Sequence, residues 1–181
     1  MEEEKKSIKK VRAVFSRENV ISEKSNEANE LYQKSRFGEL VNEKYQYSLM
    51  EALYLIEKKR MQVKDFKGKI IKADEFIKKS KIIDKNFLIR YSVYKDLRSR
   101  GYIVKTALKF GADFRVYDRG IKPGEDHAKW IVYPVHESTT LTWYEFSAKN
   151  RVAHSTRKNL LIGVVDDEGD VSYWEIAWKR P

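Results

Sequence analysis

Three side chains able to move protons or hold charge punctuate the second half of this chain. They are Tyr117 at the end of "DFRVY", His127 in "GEDHAKW" and Lys158 in "STRKNLL". His127 follows a turn rich in glycine, proline and charge and precedes an apolar run that reads as a strand. An imidazole, titrating in free solution at about pH 6.5, is the side chain best suited to proton transfer near neutrality. Taken singly, each of the three has an ordinary structural explanation. A histidine at a strand entrance hydrogen-bonds or solvates, a strand tyrosine packs its ring and keeps its hydroxyl wet, and a lysine at a helix-to-strand junction faces water. Together they point to a cluster. If the strand holding Tyr117 neighbours the strand following His127, both side chains converge at one sheet end, and Lys158, entering the next strand, completes the group.

The available chemistry is narrowed by what the chain lacks. Zero cysteines remove thiolate nucleophiles, disulfides and cysteine metal sites together, and three scattered histidines argue against a zinc centre. Neither a G-x-G-x-x-G nor a G-x-x-x-x-G-K pattern occurs among the eight glycines, which disfavours nucleotide hydrolysis. Asp113, Asp118, Glu125 and Asp126 lie close in sequence and keep a two-metal nuclease as a minor alternative, although loop acids of this sort usually solvate a turn. No metal and no cofactor are expected.

Composition narrows the partner without choosing it. The 181 residues have room for one ordinary domain or two small ones, and 41% hydrophobic content suffices for packed cores. A net charge of +10 favours a polyanion, nucleic acid before an anionic membrane surface. Apolar stretches such as Leu160 to Val165 are far too short to span a bilayer, and "MEEEKKSIKK" contains no apolar segment that could serve as a secretory signal, so a soluble, cytoplasmic protein is expected. Residues 1 to 85 carry a net +6 and residues 86 to 181 a net +4, but four acids of the second half sit in "DDEGD", Asp166 to Asp170. That segregation requires a reason.

The elements that must position these residues fall into two sets. In the first, "YSLMEALYLIEKKR" combines a Ser48 and Glu51 capping box with Leu49, Ala52, Leu53 and Ile56 at helical spacing. A second helix is predicted from near Asp74, and a third from about Asn86 to Ser99, with Phe87, Tyr91, Tyr94 and Leu97 on one side and Gly101 as its stop. Upstream, "VRAVFSRENVIS" suggests short strands and "SNEANELYQKSRFG" a helix. The domain boundary is placed near Asp84 to Asn86, giving domains 1–85 and 86–181. In the second set, "YIVKTALKFG", "DFRVYDRG" and "AKWIVYPVHE" read as a three-stranded meander. A helix follows from Thr142, where Glu145 repeats the capping box, through "FSAKNRVAHSTRK". "NLLIGVV" and "VSYWEIAWK" then flank the acidic hairpin tip.

The segments "YKDLRSRGYIVKTALKFGADFRVYDRG", "DHAKWIVYPV" and "NRVAHSTRKNLLIGVVDDEGDVSYWEI" resemble, in order and spacing, the catalytic domain of the archaeal tRNA-splicing endonucleases. "YSLMEALYLIE" resembles their amino-terminal domain. Ala107 stands where a glycine is expected, and the loop from Arg119 to Asp126 is short. The resemblance implies an α/β and α+β protein of two small domains: helices on a small mixed sheet, then a restriction-endonuclease-like mixed central sheet with flanking helices. It implies a triad of Tyr117 as base, His127 as acid and Lys158 as electrostatic stabiliser. The 2′-hydroxyl of RNA would be the nucleophile, without metal, giving 2′,3′-cyclic phosphate and 5′-hydroxyl ends at bulge-helix-bulge junctions of precursor tRNA and other such RNA. Arg151 matches a base-stacking arginine, with Trp174 or Tyr173 as the opposite face of the clamp. Asp166, Asp167, Glu168 and Asp170 match an acidic loop that docks on a neighbouring subunit. The apolar final strand, with Val171, Tyr173, Ile176 and Trp178, would pair across a two-fold axis, completing a homotetramer built as a dimer of dimers. A non-catalytic RNA-binding or scaffolding subunit is the alternative.

Overall fold

The structure, a computed structural model, describes residues 9–108, 111–121, 124 and 127–179. The chain divides into two compact units, Met1–Lys85 and Asn86–Pro181.

The first unit is a six-stranded mixed sheet with three helices. Its strands are β1 (Val11–Ser16), β2 (Asn19–Glu23), β3 (Glu39–Val41), β4 (Lys44–Ser48), β5 (Met61–Lys64) and β6 (Ile70–Ile71), in the order β3-β4-β2-β1-β5-β6. Only β1 and β5 run parallel; the remaining pairs are antiparallel. The helices are α1 (Asn26–Ser35), α2 (Leu49–Glu57) and α3 (Ala73–Ile83). The capping box forms at α2: the Glu51 amide donates to Ser48 Oγ at 3.2 Å, and the Ser48 amide donates to Glu51 Oε2 at 2.9 Å. The other carboxylate oxygen accepts the Gly38 amide at 3.1 Å, so buried Glu51 is satisfied on both oxygens. Gly38 itself has φ +72°, and a Cβ there would stand 2.9 Å from the Tyr47 ring, so glycine fits twice over. The predicted helix is shorter than its pattern: Tyr47 belongs to β4, and Leu55 is buried where periodicity favoured Ile56.

The second unit is a five-stranded mixed sheet with a helix on each face. It contains α4 (Phe87–Ser99), β7 (Ile103–Thr106), β8 (Phe114–Tyr117), β9 (Trp130–His136), α5 (Trp143–Ser155), β10 (Asn159–Val165) and β11 (Val171–Ile176). The strand order is β11-β10-β9-β8-β7, with β9 and β10 parallel across the α5 connection and the other neighbours antiparallel. One face packs on α4, whose Phe87, Tyr91, Tyr94 and Leu97 are all buried. A Cβ at Gly163 would lie 2.9 Å from Val93 of α4, so this approach of strand to helix needs a residue without a side chain. The other face packs on α5, where Ile131, Tyr133, Leu160 and Ile162 form a core with Ala107, Ala112 and Ala153.

Both helices end in the same way. The Tyr102 amide reaches back to the Leu97 carbonyl at 3.1 Å, and the Gly101 amide to Arg98 at 3.1 Å, with Gly101 in the left-handed region. At the end of α5 the Lys158 amide bonds Ala153 and the Arg157 amide bonds His154, each at 2.9 Å, and Arg157 takes φ +57°. These are Schellman caps, the second without glycine. α5 therefore stops at Ser155, the first residue of the "STRK" that the sequence pattern carries it through.

Candidate functional site

Three strand ends meet where the sequence cluster was expected. Tyr117 is the last residue of β8, and Trp130 and Asn159 open β9 and β10. Lys129 ties these ends together: its amide donates to the Val116 carbonyl at 2.9 Å, and its carbonyl accepts the Asn159 amide at 3.1 Å. The segment entering β9 from His127 is thus hydrogen-bonded on one side to the residue before Tyr117 and on the other to the residue after Lys158. Tyr117 is buried, 5% exposed; His127 is exposed and Lys158 is half-buried.

The backbone of Lys158 is fixed by the α5 cap, and its ammonium donates to the Thr156 carbonyl at 2.7 Å, one of the carbonyls that a helix end leaves without an internal partner. Burial lowers the lysine's pKa from its ordinary range, and the charge of nearby Arg115 lowers it further. The surroundings are basic and aromatic. The Arg119 guanidinium lies 5.1 Å from the Tyr102 ring, Tyr102 meets Trp130 edge to face at 5.5 Å, and the Lys129 ammonium lies 4.4 Å from Trp130.

Two of the four acids of the metal-nuclease alternative are held in ion pairs. Asp113 pairs with Arg90 at 2.7 Å, and Asp118 pairs with Lys129 at 3.4 Å while accepting the Arg119 amide, the contact that chiefly lowers its pKa. Glu125 and Asp126 lie outside the described residues.

The clamp residues separate by face. Arg151 is exposed on α5. Trp174 lies opposite Ile162 on the α5 face of the sheet, 56% exposed, and lines an apolar groove with Phe146, Ile162, Val164 and Ile176. Tyr173, opposite Gly163, turns to the α4 face, where its hydroxyl donates to Asp96 at 2.8 Å; burial and that carboxylate push its pKa far up. The structure therefore puts Trp174, not Tyr173, on the sheet face that carries α5, the helix of Arg151. In the acidic turn, the Asp166 carboxylate accepts the Asp170 amide at 2.8 Å and Asp167 pairs with His136 at 3.2 Å, while Glu168 and Asp170 are exposed.

Two family descriptions match the chain: "tRNA intron endonuclease, N-terminal domain" over residues 11–77 and "tRNA intron endonuclease, catalytic C-terminal domain" over residues 87–173. The chain belongs to the tRNA intron endonuclease family. Relatives named tRNA-splicing endonuclease include that of Nanoarchaeum equitans, 49% identical over 148 residues, or 78% of this chain and 94% of that protein. The Thermococcus onnurineus protein is 44% identical over 92% of this chain and 95% of its own length, and the Pyrococcus horikoshii protein 41% over 95% and 98%. Both units of the chain thus fall within the family, and the mixed sheet of each agrees with the expected fold class. Among the described residues, no helix of this family member is long and apolar enough to cross a membrane.

Proposed function

We propose that this chain is a tRNA-splicing endonuclease that cuts precursor tRNA at bulge-helix-bulge exon-intron junctions. The observation that carries the reading is the two-sided hydrogen bonding of Lys129, which draws the ends of β8, β9 and β10 to one place and supports a shared site for Tyr117, His127 and Lys158. Tyr117, reacting as the phenolate, takes the proton of the 2′-hydroxyl as the 2′-oxygen attacks phosphorus. The bond from phosphorus to the 5′-oxygen breaks, and His127 donates a proton to that leaving oxygen. Lys158 holds the non-bridging oxygens as negative charge accumulates on them. The products are a 2′,3′-cyclic phosphate and a 5′-hydroxyl; one proton has moved onto the Tyr117 phenolate and one has left the His127 imidazolium. Bulged bases, accessible as paired ones are not, stack between Arg151 and Trp174.

The test is cleavage of a bulge-helix-bulge RNA in excess EDTA. Scission at both bulges is expected; a requirement for Mg²⁺, or activity that survives alanine at both His127 and Lys158, contradicts the mechanism. Tight RNA binding without scission would instead mark a scaffolding subunit.

The working assembly is a homotetramer. β11 is an edge strand, and the apolar groove beside Trp174 suits a partner better than water. Glu168, Asp170 and Asp167 reach a basic groove of a neighbouring subunit, while Asp166 holds the turn that presents them. Reversing the charges of Asp167, Glu168 and Asp170 with Asp166 retained is expected to convert tetramers to dimers in sedimentation velocity; an unchanged mass removes the loop from the interface.

A further inference from the structure

Arg115 is a side chain to which the triad chemistry assigns no role. It stands two residues before Tyr117 on β8, so both project from the same face. Its Cα partner on β9 is Ile131, whose partner on β10 is Leu160, and both belong to the core beneath α5. The row thus runs from Arg115 toward the strand that Lys158 enters. Arg115 Nε is buried and has no hydrogen-bond partner among the described residues. Its charge also reaches Lys158, where it adds to burial in disfavouring the ammonium. Two cations close enough to feel each other's charge, one with a buried donor left unsatisfied, repel each other and lose solvation; an anion seated between them removes both penalties.

Resting on the function proposed above, we infer that Arg115 is a second cationic contact for the scissile phosphate, donating to a non-bridging oxygen beside Lys158. A guanidinium suits this position because its forked donors hold a phosphate oxygen in fixed geometry, whereas an ammonium acts as a point charge. The two cations then divide the labour: Lys158 supplies charge at the strand junction, and Arg115 orients the phosphate above Tyr117.

The experiment compares wild type, Arg115→Gln, Arg115→Lys and Lys158→Ala in single-turnover cleavage of a bulge-helix-bulge RNA. The scissile phosphate is either normal or carries a single Rp or Sp phosphorothioate. Arg115→Gln is expected to lose on the order of 100-fold in rate with little change in RNA affinity, and Arg115→Lys to recover part of it. The thio effect of one diastereomer should be smaller in Arg115→Gln than in wild type, because the contact that sulfur disturbs is already gone. A rate within about threefold of wild type overturns the inference, as does a slow variant whose thio effects both match wild type. Should Arg115→Gln fail to fold, Arg115→Lys decides by the same thio comparison. Should wild type cut no RNA, the proposed function fails by itself. Inorganic phosphate titrated against the NMR signal of the Arg115 Nε–H then decides the seat: a shift that Lys158→Ala weakens supports it, and no shift overturns it.

Discussion

Lys158→Ala is expected to slow single-turnover cleavage of a bulge-helix-bulge RNA by on the order of 10²–10³-fold while leaving RNA affinity nearly unchanged. The split between rate and affinity follows from where the charge sits. Lys158 is fixed by the α5 cap, half-buried, and its pKa is lowered first by that burial and then by Arg115. Such a cation is poorly solvated, so its attraction to phosphate oxygens grows as those oxygens gain charge in the transition state. Much of the ground-state affinity comes from exposed lysines and arginines across a basic surface, and those remain. The fold should survive, since the ammonium's hydrogen bond goes to the Thr156 carbonyl, at a helix end where water can replace it. The same residue predicts a pH trend in stability. A lysine whose folded pKa lies below its ordinary 10.5 binds its proton less well folded than unfolded. Stability should therefore rise with pH across the window from the lowered value to 10.5, and urea denaturation of Lys158→Ala should lack that rise. A loss of affinity equal to the loss of rate would make Lys158 an ordinary RNA contact.

His127→Ala is expected to lose roughly 10²–10⁴-fold in rate, and that loss should vanish on a substrate whose leaving 5′-oxygen is replaced by sulfur. A thiolate departs without being protonated, so a general acid no longer matters to it. The position agrees with the role: His127 is exposed at the mouth of the segment that Lys129 anchors, where a departing RNA strand can reach it. Rescue by the sulfur substrate identifies the missing function as proton donation. An equally slow variant on both substrates would assign His127 to positioning instead.

How much of this was legible in sequence depended on how local the signal was. The Ser48 and Glu51 box and the Thr142 and Glu145 box are each written within four residues, and both form. Strands β3 and β6 left no readable pattern, being three and two residues long with mostly exposed side chains. The end of α5 carries no sequence mark, because Arg157, rather than a glycine, takes the left-handed position. The tie at Lys129 could not be read at all, because it is made by backbone atoms that carry no residue identity. Tyr173 and Trp174 are not interchangeable as the second face of the clamp, because neighbours on a strand face opposite ways, and that period-two rule is legible in the sequence. Arg115 carries the same kind of signal, two residues from Tyr117, but it is masked in the sequence because arginine on a strand usually faces water.

In the proposed reaction the RNA supplies the nucleophile and this chain supplies the proton transfers. The most direct test is a precursor tRNA carrying a single 2′-deoxynucleotide on the 5′ side of one scissile phosphate, incubated with the enzyme in excess EDTA. The modified junction is expected to stay intact while the unmodified junction is cut to a 2′,3′-cyclic phosphate and a 5′-hydroxyl. Cleavage of both junctions at similar rates would contradict it, since the attacking group would then be water.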